Sequence, residues 1–379
     1  MLEVLRFWFT KDLKYAKGKP CKPYNSCLGE FFRCNWETED DAPRIDTKAL
    51  LSRPGSASSS LKSGKFSAIP KGLGSDPSGA STVSVPQTNT KPAKPTRISY
   101  LTEQTSHHPP VSAFYISCPE KGLHAKGYDQ ITAKFTGTSI KVVPGEHNLG
   151  IFITLDKRDH ETYRLTHPPA HLGGLLRGAL NVTVGEMAYI SCPQTKLKCI
   201  LRYYDAGWTR STNMVEGVIF RYNPENDDKV NIKDVPEEDI LIRLQGPWKS
   251  KVMFTLGSKP VDSYPADQQI TLVDLGPLSV APKSLPPDDK QLDNESLHLW
   301  GDVTRAIHNK QFSRATQLKQ ELEEKQREKA RERERTGEAW KPVFFTQVTD
   351  KGGQPELTDK GKEVLKRAQE GRWDLEGIL

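Results

Sequence analysis

The chain has 379 residues, with 54 Lys and Arg against 48 Asp and Glu, a formal net charge of +6, and 35% hydrophobic residues. A chain of this length can bury a large core without disulfide staples, and no run approaches the roughly 18 to 20 apolar residues of a membrane span. These properties argue against an integral membrane protein, a fibrous protein and a small secreted disulfide scaffold.

The chain begins with an apolar stretch that contains Val4, Leu5, Phe7 and Trp8. This apolar start predicts a short helix. The segment Lys22-Pro-Tyr-Asn25 follows and offers a cation near a rigid turn. It is weak evidence for a site when it is taken alone.

Residues 42–97 have a different composition, with 11 Ser, 7 Pro, 5 Gly and a single aromatic residue, Phe66. Such a segment cannot bury enough apolar area to offset the entropy of ordering, so we predict a disordered insertion. It holds nine basic and two acidic residues, which leaves the rest of the chain at −1. The net charge therefore does not predict a nucleic-acid partner, and weak contact of the insertion with an anionic membrane is the narrower expectation.

Residues 98–274 contain short runs of β-branched and aromatic residues that are bounded by Gly, Pro, Asn or Asp. This pattern predicts many strands, and hence a sandwich or a barrel that encloses a cavity. Lys198 to Tyr203 alternates between polar and apolar residues, which suits an antiparallel strand with one wet face. The predicted strands are Val111–Ser117, Ser139–Val143, Gly150–Leu155, Leu180–Val184, Leu197–Tyr204, Val215–Tyr222 and Val252–Leu256.

A Pro-rich connector at 275–293 precedes a helical part at 294–379. Leu297, Trp300, Val303 and Ile307 step by three and four, as on a helix that packs along one face. A very polar helix is expected from Phe312 to about Arg335, and a last one over about Thr358–Glu370. The apolar segment between them, 340–345, is predicted to dock onto the rest of the domain.

The six cysteines include no C-x2-C pair, and the N-terminus does not resemble a signal peptide. Reduced thiols in a cytoplasmic protein are therefore expected, and the sequon at Asn181 would stay unused. The scattered histidines predict no metal site. No cofactor motif and no assembled nucleophile, base and orienting group is visible, so we predict no cofactor and no enzyme.

The stretch Glu103-Gln-Thr-Ser-His107-His108-Pro-Pro110 stands out. Two prolines hold the backbone extended, so the adjacent histidines could present two imidazole donors to one anion. The alternative is an ordinary surface turn. A shared metal fits less well, because neighbouring residues of a strand point to opposite sides.

Lys319, Glu323 and Arg327 lie at i, i+4 and i+8, and therefore on one stripe of the polar helix. Two cations with an acid between them could bind a phosphate. Taken alone, such a stripe is more typical of a solvated helix face.

Together these segments resemble the oxysterol-binding-protein-related family of lipid-exchange proteins. The histidine motif is similar to that family's E-Q-V-S-H-H-P-P signature, with Thr105 in place of Val, and the likeness extends to Gly207-Trp208, Val215-Glu-Gly217 and Leu322 to Arg327. The resemblance implies a single mainly β domain with flanking α-helices. Its core would be an incomplete antiparallel β-barrel around a lipid tunnel, followed by the C-terminal helices. It also implies that the tunnel takes a sterol or phosphatidylserine and exchanges it for phosphatidylinositol 4-phosphate between membranes.

Carried over by position, the resemblance assigns the phosphoinositide head group to six residues. They are Lys22, His107, His108, Lys319, Glu323 and Arg327. Asn25 would contact the head group of the second lipid. The motif also implies a peripheral, cytoplasmic protein that visits membranes.

Several features depart from the family pattern. Ser26 stands where a proline is usual, the insertion at 42–97 is longer than usual, and the sequence begins after the usual tunnel lid. A serine expected near Thr132–Phe135 is not evident, so sterol and phosphatidylserine both stay open. A lipid-dependent sensor or scaffold without net transport is the alternative function, and an enzyme with His107 or His108 as general base is a third.

Overall fold

A computed structural model describes residues 1–14, 24–39, 45, 95–137, 139–173, 181–204, 213–346 and 352–379. Sixteen strands and five α-helices are found in these ranges. Every strand pair is antiparallel, which confirms the predicted mainly β fold with C-terminal helices. Lys22 and residues 46–94 of the insertion lie outside the described residues.

Two antiparallel sheets contain all of the named strands. The strands are β1 (Phe31–Thr38), β2 (Thr96–His107), β3 (Pro110–Cys118), β4 (Leu123–Asp129), β5 (Ile131–Phe135), β6 (Ile140–Pro144), β7 (Ile151–Leu155), β8 (Glu161–Leu165), β9 (Ala170–Gly173), β10 (Asn181–Val184), β11 (Glu186–Cys192), β12 (Leu197–Tyr204), β13 (Met214–Arg221), β14 (Ile240–Pro247), β15 (Lys251–Leu256) and β16 (Ile270–Asp274). The large sheet has the order β1-β2-β3-β4-β7-β8-β11-β12-β13-β14-β15-β16, with β1 and β16 at its edges. Its open edges agree with an incomplete barrel. The small sheet has the order β10-β9-β6-β5.

The long insertion connects two neighbouring strands. β1 pairs with β2 from Phe31 opposite Glu103 to Thr38 opposite Thr96. The chain therefore leaves the sheet and returns to it at almost the same place, where extra loop length costs little additional closure entropy. The predicted boundaries were slightly wrong here, because β2 begins at Thr96 and β1 precedes the region 98–274.

The first helix, α1 (Leu2–Thr10), confirms the predicted N-terminal helix. Its apolar stripe, including Leu5 and Trp8, joins the main core cluster, most of whose other members lie on strands between β3 and β16. The indole Nε1 of Trp8 donates a hydrogen bond of 2.7 Å to the buried Tyr203 hydroxyl on β12. The helix is amphipathic because its apolar residues recur at spacings of three and four, and it fills space against the large sheet.

The expectation of a wet face on β12 was wrong. Cys199 and Leu201 belong to the main core, whereas Ile200 lies in a second apolar cluster with Val218 and Phe220. Lys198 is also buried, and its Nζ lies 2.5 Å from Asp227 Oδ1. Residues 232–240 supply this second cover, because Val235 and Ile240 complete the cluster.

The C-terminal part contains four helices. They are α2 (Ser296–Leu299), α3 (Gly301–His308), α4 (Phe312–Thr336) and α5 (Asp359–Gln369). The helix predicted at 297–307 is present as α2 and α3, and Trp300 and Val303 are buried as expected. Leu297 and Ile307 are exposed, because the backbone breaks at Trp300 and the four residues do not share one continuous stripe. Among the described helices, none combines the length and apolar character that crossing a membrane requires.

The predicted docking segment packs against the large sheet. Phe344 and Phe345 are buried with Phe31 and Leu101, and α5 contributes Val364 to the same cluster. Gly361 of α5 lets the two elements approach, since a Cβ there would lie 2.2 Å from the Phe344 carbonyl oxygen.

A buried ion pair fixes the C-terminal part further. Arg33 Nε lies 2.7 Å from Glu295 Oε1, and the same guanidinium donates to the carbonyl oxygens of Lys290 and Trp373. One arginine of β1 therefore holds two segments that come much later in the chain, residues 290–295 and the C-terminal stretch at Trp373.

Candidate functional site

The two histidines lie where β2 gives way to β3. The β2–β3 ladder has a bulge between Gln104 and Ser106, and its last pair is His107 opposite Pro110. His107 ends β2 and His108 begins the turn, so the alternation of a strand no longer applies. The two exposed rings lie 4.8 Å apart in an edge-on arrangement rather than on opposite sides. The expectation that the two rings point to opposite sides was therefore wrong, and the pair can face one ligand.

The segment at 24–30 lies beside this turn. The Gly29 N–H donates to the Gln104 carbonyl at 3.0 Å, and the Gln104 N–H donates to the Glu30 carbonyl at 2.7 Å. Gly29 has φ +77°, which a residue with a side chain rarely adopts, so a glycine suits this turn. These contacts bring Asn25 and Ser26 next to the histidines.

Glu30 connects this segment to the helices. Its carboxylate accepts hydrogen bonds from the Cys27 N–H at 2.8 Å, the Ser296 hydroxyl at 2.6 Å and the Trp300 indole at 3.1 Å. Trp300 also stacks on Tyr24, with ring centroids 4.5 Å apart. The site is therefore built on a fixed base that includes α2 and α3.

A cavity of about 480 Å³ opens between the histidine turn, the 24–30 segment and α4. This volume lies within the usual range for small-ligand sites, about 300 to 1,000 Å³. Its lining combines main-chain turns, two imidazoles and polar groups of one helix stripe. The lining residues are Asn25, Ser26, Cys27, Leu28, His107, His108, Trp300, Glu323, Gln326, Arg327, Ala330 and Arg333.

The three predicted helix residues form one charged row on α4. Lys319 Nζ lies 2.8 Å from Glu323 Oε1, and Arg327 Nη2 lies 3.9 Å from Glu323 Oε2. Arg327 also contacts Glu324, at 2.8 Å. Glu323 thus lies between the two cations, as the i, i+4, i+8 spacing implies.

The structure brings most of the predicted site residues together. Asn25, His107, His108, Glu323 and Arg327 line one cavity. Lys319 is not among its lining residues and reaches it only through its contact with Glu323. Lys22 lies outside the described residues, so its predicted role stays a prediction.

The electrostatic surroundings of His107 favour its neutral form. Although the ring is largely open to solvent, its partial desolvation and the neighbouring His108 both lower the pKa of His107, while a hydrogen bond with the Ser26 main chain opposes them. An anion that accepts a hydrogen bond from the ring would favour the charged form and raise that pKa. Binding of a phosphate would therefore be coupled to proton uptake.

Sequence reasoning missed the rest of the helix stripe. Gln326, Ala330 and Arg333 continue the row from Glu323 at spacings of three and four. Extending the periodicity of the stripe toward the C-terminus would have found them. Among the described residues, no cluster of three His, Cys, Asp or Glu side chains could hold a metal ion.

Glu103, the first residue of the histidine motif, has a structural position. Its carboxylate accepts hydrogen bonds from the backbone N–H groups of Val343, Phe344 and Phe345, at 2.7, 2.8 and 3.2 Å. Burial raises the pKa of Glu103, and the three N–H groups oppose that shift. Glu103 therefore fixes the backbone of the docking segment and does not line the cavity.

Comparison with known proteins gives a consistent result. A family model described as oxysterol-binding protein matches residues 1–375. The chain is 38% identical to oxysterol-binding protein-like protein 1 of Schizosaccharomyces pombe, over 97% of this chain and 79% of that protein. It is 30% identical to human oxysterol-binding protein-related protein 10, over 90% of this chain but only 38% of that protein.

Solved structures share the fold. The Osh1 ORD domain in complex with ergosterol has a TM-score of 0.62 at 18% identity, and the match covers 99% of this chain and 77% of that one. The Osh3 ORD in complex with PI(4)P from Saccharomyces cerevisiae has a TM-score of 0.55 at 17% identity, covering 99% and 79%.

Proposed function

Because the chain belongs to the oxysterol-binding protein family, we propose that it binds phosphatidylinositol 4-phosphate and exchanges it for a sterol or phosphatidylserine between membranes. The observation that carries this proposal is the cavity in which His107, His108 and Arg327 meet. Three groups that can donate hydrogen bonds and carry positive charge suit a phosphate monoester.

Each polar group has a chemical task in the proposed complex. The planar guanidinium of Arg327 can bind two phosphate oxygens at once, and the imidazoles can donate to the others. Glu323 can accept hydrogen bonds from ring hydroxyls while Lys319 keeps it in place. Lys22 would add a further cation, and Asn25 would contact the second lipid.

The identity of the second lipid is supported only by likeness. Solved relatives hold ergosterol and cholesterol, which favours a sterol. The proposed tunnel would lie against one face of the large sheet. Mass spectrometry of lipids that copurify with the chain distinguishes the two candidates, because sterol and phosphatidylserine differ in mass and class.

An enzyme is a weaker candidate. Cys27 lines the cavity near His107, but burial raises the pKa of its thiol to about 12. A nucleophilic cysteine needs the thiolate form. We therefore propose no covalent chemistry at this site.

The central experiment measures extraction of phosphatidylinositol 4-phosphate from liposomes. We expect the double variant His107→Ala, His108→Ala to lose extraction, with an unchanged midpoint of thermal unfolding, because both side chains are exposed. The matched control is His298→Ala with His308→Ala, which removes two exposed imidazoles that do not line the cavity. Normal extraction by the first variant would disprove the site.

Transfer and sensing are separated by a second assay. Donor and acceptor vesicles are mixed, and movement of labelled lipid between them is followed over time. Movement in both directions supports exchange, whereas binding without movement favours the alternative of a lipid-dependent sensor or scaffold. We propose that the protein acts in the cytoplasm, peripherally at membranes.

A further inference from the structure

A third cation lies on the cavity stripe of α4. Arg333 lines the cavity and is half-buried, although most of the surrounding helix is exposed. It follows Gln326 and Ala330 at spacings of four and three, so it continues the row that includes Glu323. The cavity therefore extends well beyond Arg327 along the helix.

The arginines around Arg333 all have carboxylate partners on the same helix. Arg327 and Arg331 both contact Glu324, and Arg335 contacts Glu332. The guanidinium of Arg333, by contrast, has no salt bridge or side-chain hydrogen bond with any residue that the structure describes. A half-buried cation without a protein partner, facing a cavity, is available for a ligand anion.

The spacing of the two cavity arginines sets the size of the ligand. Arg333 lies six positions after Arg327, which corresponds to about 9 Å along the helix axis. A single phosphate bound between the histidines and Arg327 leaves Arg333 without a partner at the other end. The cavity offers positive charge at both ends.

From this arrangement we propose that Arg333 binds a second phosphate group of the lipid head group. This inference rests on the proposed function, because it assumes that the first phosphate occupies the histidine end. The second phosphate has two chemical sources. One is the phosphodiester that joins the inositol ring to glycerol, and the other is an additional phosphate on the ring.

The test uses the full chain and two variants of equal charge. Arg333→Ala removes the cavity arginine, and Arg335→Ala removes a neighbouring arginine that is paired on the outer side of the same helix. Binding is measured to vesicles whose carrier lipid is neutral and which contain either phosphatidylinositol 4-phosphate or phosphatidylinositol 4,5-bisphosphate. Thermal unfolding of both variants is recorded as a check on the fold.

We expect Arg333→Ala to weaken binding by about tenfold or more, as loss of a charge-assisted hydrogen bond does, and Arg335→Ala to change it little. An equal loss for both lipids identifies the phosphodiester as the second phosphate. A loss confined to the bisphosphate identifies the additional ring phosphate.

Two results would overturn the inference in different ways. If the unaltered chain binds and the histidine variant does not, but Arg333→Ala behaves like Arg335→Ala, the role of Arg333 is refuted and the proposed function stands. If the unaltered chain binds neither lipid, the proposed function fails and the inference fails with it.

Discussion

The two halves of the histidine motif differ in burial and in what they contact. Glu103, Gln104 and Thr105 are buried, and Glu103 holds the backbone of the docking segment. His107 and His108 are exposed and line the cavity. A bulge at Gln104–Ser106 separates the halves. One short stretch of sequence therefore serves architecture at one end and ligand binding at the other, and substitutions should separate the two roles.

The largest effect is expected at the buried half. Glu103→Gln replaces one carboxylate oxygen with an NH₂ group that faces backbone N–H donors, so at least one buried donor loses its acceptor. We expect a loss of about 3 kcal/mol in the free energy of unfolding, measured by urea denaturation. Glu225→Gln, at an exposed position, is the control and should change little. Equal stability of the two variants would contradict the structural role of Glu103.

An intermediate effect is expected at the base of the cavity. Glu30→Gln keeps one acceptor but disturbs the contacts with Cys27, Ser296 and Trp300. We expect a loss of about 2 kcal/mol in stability together with weaker lipid binding, because the 24–30 segment would shift. A variant that loses stability but keeps full affinity would show that the cavity does not depend on this base.

A smaller effect is expected from pH at the exposed half. The free protein has a lowered pKa at His107, and a bound phosphate would raise it. The extra affinity that protonated His107 provides is thus fully present below the pKa of the free form. It is lost as the pH rises through the pKa of the bound form. Affinity should therefore increase as the pH falls from about 8 toward about 6 and passes through the pKa of the bound form.

The control for this pH dependence is a His107→Gln variant, which keeps a hydrogen-bond donor but does not titrate. Its affinity should vary less over the same range. An identical profile for the two proteins would assign the dependence to another group. Measurements stay above about pH 6, because the phosphate monoester itself takes up a proton near there.

The smallest effect is expected from the insertion. Deletion of residues 46–94 keeps the β1–β2 pairing that ends at Thr38 and Thr96. We expect normal thermal stability and somewhat weaker binding to anionic liposomes at low salt, with the difference disappearing at high salt. Unchanged liposome binding at low salt would refute membrane contact by the insertion.

Local patterns predicted the elements of this protein well. The apolar start of the chain predicted α1, and the spacing of charged residues predicted the row of Lys319, Glu323 and Arg327 on α4. Alternation failed on β12, where residues 232–240 cover the face that was expected to be wet. That cover comes from a segment more than thirty residues away, so no local pattern around Lys198 could reveal it.

The sequence by itself determined the family, the strand-rich region and the chemical nature of the candidate site. These depend on local spacing and on a long, specific motif. Only the tertiary structure decided that Glu103 supports the docking segment and that the histidine rings, the 24–30 segment and one face of α4 enclose a single cavity. The reason is physical, since each of these facts depends on contacts between segments that are remote in sequence, and such contacts leave no periodic signal in the chain.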